Sequence, residues 1–194
     1  MYSIKKEIGS NVSITWKDVS IPFMQSINAV IPYAILKSNN KIDIISTSVK
    51  PLTIELAINF EYDTFVRLAK CISRQILYME KRGITLVGLE LSDILVANQD
   101  FIVANYKRVV SYSDSMIRFI TPFYKPTFTS LEIKRLVKLP SNVSYLTAHY
   151  SLGSLIVFLL GDSIDAIKYT KLYWFLKRCF LNEAPNEGPH FEFV

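Results

Sequence analysis

The chain has 194 residues, of which half are hydrophobic and a fifth charged, a mean hydropathy of +0.24, and a formal charge of +5 from 22 Lys and Arg against 17 Asp and Glu. This balance excludes an intrinsically disordered protein, because such chains are poor in apolar residues and rich in charge. The length allows one domain, or one with a small second lobe, that can bury a core without disulfide or metal staples.

The positive excess is spread along the chain and not gathered into a tail or stripe, so nucleic acid is not an expected partner. Two cysteines, Cys71 and Cys179, and two histidines, His149 and His190, exclude a disulfide scaffold and a histidine-rich metal site. Residues 1–9 carry Lys5, Lys6 and Glu7 with no apolar run behind them, so the expected location is cytoplasmic.

In chain order, residues 2–19 read as one or two short strands with a turn at Gly9-Ser10-Asn11. Residues 20–36 are free of formal charge, but Pro22, Pro32, Gln25, Ser26 and Asn28 interrupt them. In the second such stretch, 139–161, the strongly apolar part is only 151–160, short of the ~20 residues a spanning helix needs, so no membrane span is expected. Residues 33–37 and 41–45 are apolar runs around Ser38-Asn39-Asn40, the pattern of a β-hairpin. Asp63 can cap a helix whose Phe65, Leu68, Ile72, Ile76 and Met79 share one face until Gly83.

Two short strands follow, around 93–96 and 101–104, joined by Ala97-Asn98-Gln99-Asp100. Residues 106–138, with Pro122 and Pro126, read as irregular apart from a helical turn at 130–135. Residues 145–160 form a buried helix, and 166–181 a last one with Leu172, Phe175, Leu176, Cys179 and Phe180 on one face.

The segment Gly83-Ile84-Thr85-Leu86-Val87-Gly88-Leu89-Glu90-Leu91-Ser92-Asp93-Ile94-Leu95-Val96 lies without a gap on the Gly-Ile-x-His-Arg-Asp-Leu-Lys-Pro-x-Asn-Ile-Leu-Val loop of the protein kinases. Tyr150-Ser151-Leu152-Gly153 resembles the signature of that family's buried central helix. Ser130-Leu131-Glu132 sits where kinases carry Ala/Ser-Pro-Glu, and Arg178-Cys179-Phe180-Leu181 with Ala184-Pro185 resembles the end of a late helix. The resemblance covers residues 42–185. It implies an α+β, protein kinase-like fold with a reduced strand-rich N-terminal lobe at 1–50 and a mainly helical C-terminal lobe at 51–194.

Phosphoryl transfer needs an acid to orient the acceptor, metal-binding Asn and Asp, a phosphate-binding Lys and a glycine-rich loop. Under the resemblance the first position holds Gly88, which has no side chain. The His-Arg pair is Leu86-Val87, and Glu90 reverses the charge of the loop lysine. Asp93 replaces the metal-binding Asn and could still ligate Mg²⁺, but Asn105-Tyr106-Lys107 stand for Asp-Phe-Gly, and Asn105 is a poor substitute for a carboxylate. Ile8-Gly9-Ser10 is only a faint start of a glycine-rich loop, and Lys37 reads as a solvated hairpin lysine. Glu132, the family's buried ion-pair acid, has its usual partner position near Glu187-Gly188, leaving Arg178 as a substitute. The basic residues Arg67, Lys70, Arg74, Lys81 and Arg82 read as a solvated helix face.

The favoured expectation is therefore a truncated pseudokinase that lacks catalysis, cofactor and metal, and acts by binding a protein as scaffold or decoy. A divergent kinase with Asp93 as metal ligand and a base such as Asp114 is a second reading, and a structural component of a viral particle a third. The details of the loop at 101–105, Leu139-Pro140 and the Tyr-Ser-Leu-Gly helix resemble small kinase-like proteins of large DNA viruses, which implies host cytoplasm or virion as location.

Overall fold

The computed structural model describes residues 2–6, 11–37, 40–46 and 48–181. Strands β1 (Tyr2–Lys6) and β2 (Asn11–Trp16) pair antiparallel, with Ile4 opposite Ile14. Asn11 belongs to β2 and not to the turn expected there, and the rest of that turn lies outside the described residues. The charge-free stretch after β2 is a helix. Ser20 Oγ accepts from the Phe23 N–H, Pro22 occupies the first turn, and α1 (Ile21–Val30) buries Phe23, Met24, Ile27 and Val30. A proline there costs nothing, since the first-turn N–H groups have no intrahelical acceptor.

The hairpin forms as its pattern predicts, from β3 (Ala34–Lys37) and β4 (Lys41–Ile45), although Ser38 and Asn39 lie outside the described residues. The first sheet has the order β1-β2-β4-β3.

Strand β5 (Val49–Pro51) pairs with a later strand, and Thr53 caps the short α2 (Ile54–Ala57). The long helix α3 (Tyr62–Glu80) buries Phe65, Leu68, Ile72, Ile76 and Met79, as its spacing predicts. Each such side chain contributes about 1.5–3 kcal/mol by leaving water. Asp63 lies inside the first turn, where its charge favours the helix dipole, and not at the cap, which is Glu61.

Next come β6 (Ile84–Leu86), β7 (Ile94–Ala97) and β8 (Asp100–Val103); the last two form a hairpin turning through Asn98 and Gln99, both at positive φ. The sheet β5-β7-β8 lies against α3.

The segment expected to be irregular holds two strands, β9 (Val109–Ser111) and β10 (Met116–Phe119), and the expected helical turn, α4 (Leu131–Lys134), capped by Ser130 Oγ. Their partners are distant in sequence: β9 pairs with β6, and β10 with β11 (Ser141–Ser144). Helix α5 (Thr147–Leu160) follows and is buried on most sides. The last helix, α6 (Lys171–Phe180), starts later than its apolar pattern suggests, because Thr170 Oγ1 caps it and residues 161–167 take a tighter 3-10 path. Leu172, Phe175, Leu176 and Cys179 are buried as expected, while Phe180 is half exposed.

The fold is thus mixed α+β with several small sheets. One apolar core runs from Ile14 and Trp16 in the first sheet through α1, α3 and α5 to Cys179 in α6. The Trp16 indole donates to the Ala104 carbonyl at 2.7 Å and ties that sheet to the end of β8. A smaller cluster of Val87, Ile117, Phe119, Ile133 and Val143 supports β10 and β11. Among the described residues no helix is long and apolar enough to cross a membrane.

Candidate functional site

The loop between β6 and β7 carries Gly88 and Asp93, and a second segment clamps it. Leu89 and Phe128 exchange backbone hydrogen bonds at 2.8 and 3.1 Å, and Thr129 Oγ1 donates to the Val87 carbonyl at 2.8 Å. Gly88 has φ +151°, and a Cβ built there would lie 2.7 Å from Pro126 Cγ and 3.0 Å from the Phe128 carbonyl. Glycine is required by both the backbone and the ring packed on it.

Residues 91–93 then turn through one 3-10 turn that directs Asp93 inward. Asp93 is 2% exposed. Its Oδ2 accepts from the Glu90 N–H at 2.8 Å and from Arg108 Nε at 2.9 Å, and its Oδ1 accepts from Asn105 Nδ2 at 2.6 Å. The Asp93 backbone carbonyl also accepts from the Ala104 N–H at 2.8 Å, which locks the 3-10 turn to the end of β8. The Tyr2 hydroxyl reaches the Ser92 carbonyl at 3.3 Å, and burial together with the Asp93 charge raises its pKa. Arg108 is at the end of a short 3-10 turn, residues 106–108, that starts with Asn105 Oδ1 accepting from the Lys107 N–H.

These contacts decide what the cluster can bind. Mg²⁺ takes oxygen ligands in near-octahedral geometry and prefers charged ones. The Asp93 carboxylate already has a guanidinium and an amide on its two oxygens, and Asn105 turns its NH₂ group, not its oxygen, toward Asp93. The residues present do not fit a metal held between Asp93 and Asn105. Among the described residues no group of three or more His, Cys, Asp or Glu side chains is placed to hold a metal.

Of the residues expected from the sequence, the fold brings Asp93 and Asn105 into contact and places Gly88 in the same loop. The Glu90 side chain shares a capping box with Asp93 and also accepts from the Thr127 N–H at 2.7 Å and the Tyr124 hydroxyl at 3.2 Å. Lys37 is a half-exposed hairpin lysine 3.9 Å from Asp43. Asp114 lies at positive φ in the tight turn between β9 and β10.

Glu132 accepts from the Ser144 N–H at 3.2 Å and makes no ion pair with Arg178 among the described residues. The basic face of α3 is partly engaged: Arg67 pairs with Asp100 at 3.2 Å, and Arg82 stacks on Tyr78. Gly9, Ala184-Pro185, Glu187-Gly188 and His190 lie outside the described residues.

Three contributors have little or no local mark in the sequence. Arg108 is separated from Asp93 by a whole hairpin, and nothing in a lone arginine marks its partner. Pro126, which the sequence marks only as part of an irregular segment, is the wall against Gly88. Gln75, fully buried, bridges α3 to β8: its Oε1 accepts from the Val103 N–H at 2.7 Å and its Nε2 donates to the Val103 carbonyl at 2.9 Å. A polar residue between Ile72 and Ile76 on an apolar face was the available signal.

No protein-family model and no curated protein matches this chain.

Proposed function

We propose that this chain is a kinase-like protein without phosphoryl-transfer activity that works by binding another protein. The observation that carries this reading is the closed Asp93, Asn105 and Arg108 cluster. On the kinase resemblance, Asp93 in residues 83–96 falls on the metal-binding Asn and Asn105 on the Asp of the Asp-Phe-Gly triplet, and here an internal guanidinium neutralises the one carboxylate left.

A fixed cation within the fold removes the need for, and the room on, a bound one. Gly88, at the position of the acid that would orient an acceptor hydroxyl, is pressed against Pro126 and has no space for a side chain. The reduced sheet at residues 2–45, with Lys37 tied to Asp43 on its solvent side, is consistent with the loss of a nucleotide roof.

The test is a thermal-shift titration with Mg-ATP, together with radiolabelled ATP and a general acceptor protein. The expected result is no saturable rise in Tm and no label transfer. Stabilisation at micromolar Mg-ATP, or transfer that Asp93→Ala abolishes, overturns the reading. Co-purification from the native source should then return a stoichiometric protein partner; a chain recovered alone counts against the binding role.

A further inference from the structure

A cleft of about 520 Å³ opens beside the Asp93 cluster, within the size range of small-ligand sites. Its walls include three cations, Lys107, Arg108 and Arg118, and three aromatic rings, Phe119, Phe123 and Tyr124, and none of its lining residues is acidic. Phe119 and Phe123 are stacked face to face, with centroids 4.2 Å apart and planes 16° apart, so buried Phe119 backs one face of the less buried Phe123. Arg118 stands in β10 between buried Ile117 and Phe119, and strand alternation turns it to the opposite, exposed side.

The three cations are not equally compensated. Arg108 gives its Nε–H to Asp93 and lies with Cζ 5.2 Å from the Tyr124 ring centroid, and it has further N–H donors in its fork. Lys107 and Arg118 have no ion pair among the described residues. With Arg108 balanced by Asp93, the cleft keeps about two positive charges. Glu90, the acid hydrogen-bonded to Tyr124, is not one of its lining residues. Like charges gathered in a concavity repel one another and concentrate a positive potential, which a bound anion relieves.

We infer that this cleft binds a phosphate monoester carried on an aromatic ring. A phosphate monoester carries about −1.5 to −2 at neutral pH with three strong acceptor oxygens, which matches the residual charge, whereas a carboxylate supplies half of it. Arg and Lys donors make short, charge-assisted bonds to such oxygens. Phe123 and the exposed Tyr124, the more accessible rings of the lining, give the carrier ring an offset or edge-on partner. The same chemistry is presented by a free aryl phosphate and by a phosphorylated tyrosine of a partner protein. The inference stands on the charges and rings of the cleft and does not depend on kinase likeness.

The test is a calorimetric titration of the full chain with phenyl phosphate, inorganic phosphate, phenol, and a pentapeptide with and without phosphate on its tyrosine. Phenyl phosphate should bind saturably, at least about fivefold tighter than inorganic phosphate, and phenol should not bind. Lys107→Glu and Arg118→Glu should each weaken binding by about tenfold or more with Tm unchanged, because both side chains are exposed.

A phosphopeptide tighter than phenyl phosphate identifies a protein as the source, and one no tighter identifies the free ester. No saturable binding, equal affinity for inorganic and phenyl phosphate, or affinity unchanged in both charge reversals overturns the inference. No probe contains nucleotide or magnesium, so the outcome is separate from that of the Mg-ATP test.

Discussion

Arg108 and Asp93 form a buried ion pair in which the Nε–H meets Oδ2 at 2.9 Å, with the carboxylate 2% and the arginine side chain 13% exposed. Removing one member leaves the other's charge in a poorly solvated place. Arg108→Met should therefore cost about 2–4 kcal/mol of unfolding free energy in urea. Adding Asp93→Asn to that variant should restore part of the loss, giving a coupling of at least about 1 kcal/mol in the double-mutant cycle. Additive losses would mean that the pair does no more than two separate packing contacts.

An acid placed at Gly88 should strain the loop that carries it. Gly88→Asp must place a Cβ 2.7 Å from Pro126 Cγ at φ +151°, so either the backbone rotates or the 126–128 segment shifts. The expected result is a loss of about 2–4 kcal/mol, from backbone strain and overpacking, with no gain of label transfer from ATP. An unchanged Tm in a differential scanning measurement would show that Pro126 moves freely.

The elements legible in the sequence were those whose stabilising contacts repeat locally. The five apolar positions of α3 carry their period within residues 65–79 and the Asn-rich hairpin its pattern within residues 33–45, while α5 is marked by the apolar run at 151–160. Helix α1 was not read, because a stretch without charges has no polar face to contrast with its apolar one; the Ser20 cap and Pro22 in the first turn were its only signals. Strands β9, β10 and β11 were missed for a different reason: β9 pairs with β6 across more than twenty residues, and β10 with β11 across a similar gap.

The candidate site divides the same way. A linear pattern marks Asp93 and Asn105, but the neutralisation of Asp93 by Arg108 and the bond it receives from Asn105 exist only after the β7–β8 hairpin folds.

Gln75 supplies a test of that hairpin's anchoring. Its amide satisfies both backbone groups of Val103, and its Nε2 also donates to Ser26 Oγ of α1 at 3.2 Å, so one side chain joins three elements. Gln75→Leu keeps the volume close but leaves a buried N–H and C=O without partners. It should cost about 2–4 kcal/mol in chemical denaturation, more than the about 0.5 kcal/mol or less of an ordinary surface substitution. Hydrogen exchange at Val103 should accelerate in parallel.

Helices α5 and α6 meet at Gly153, where an added Cβ would fall 2.6 Å from Cys179 Cβ. Alanine is favoured over glycine inside a helix by about 1 kcal/mol. Forcing the helices apart costs about 1–3 kcal/mol. The clash should win: Gly153→Ala is expected to lower Tm, and a rise in Tm would show that the α5–α6 contact is slack.

Alkaline pH should weaken this fold, and the sign follows from the neutral groups it buries. Burial pushes the Cys179 thiol up to about 12 from an ordinary value near 9, and burial with the Asp100 hydrogen bond pushes the Tyr33 hydroxyl up to about 12 from 10. A raised folded-state pKa means that the folded protein holds its proton while the unfolded chain has lost it. The unfolded state is then favoured progressively as pH rises.

Both contributions are fully present below about pH 9 and fade between 9 and 12. Chemical denaturation at intervals across that window should show falling stability, and Cys179→Ala should flatten the part of the slope that begins near pH 9. The same shift makes native Cys179 inert to thiol reagents at pH 8, with labelling appearing only on unfolding. Rapid labelling of Cys179 in the folded chain would place it outside the core.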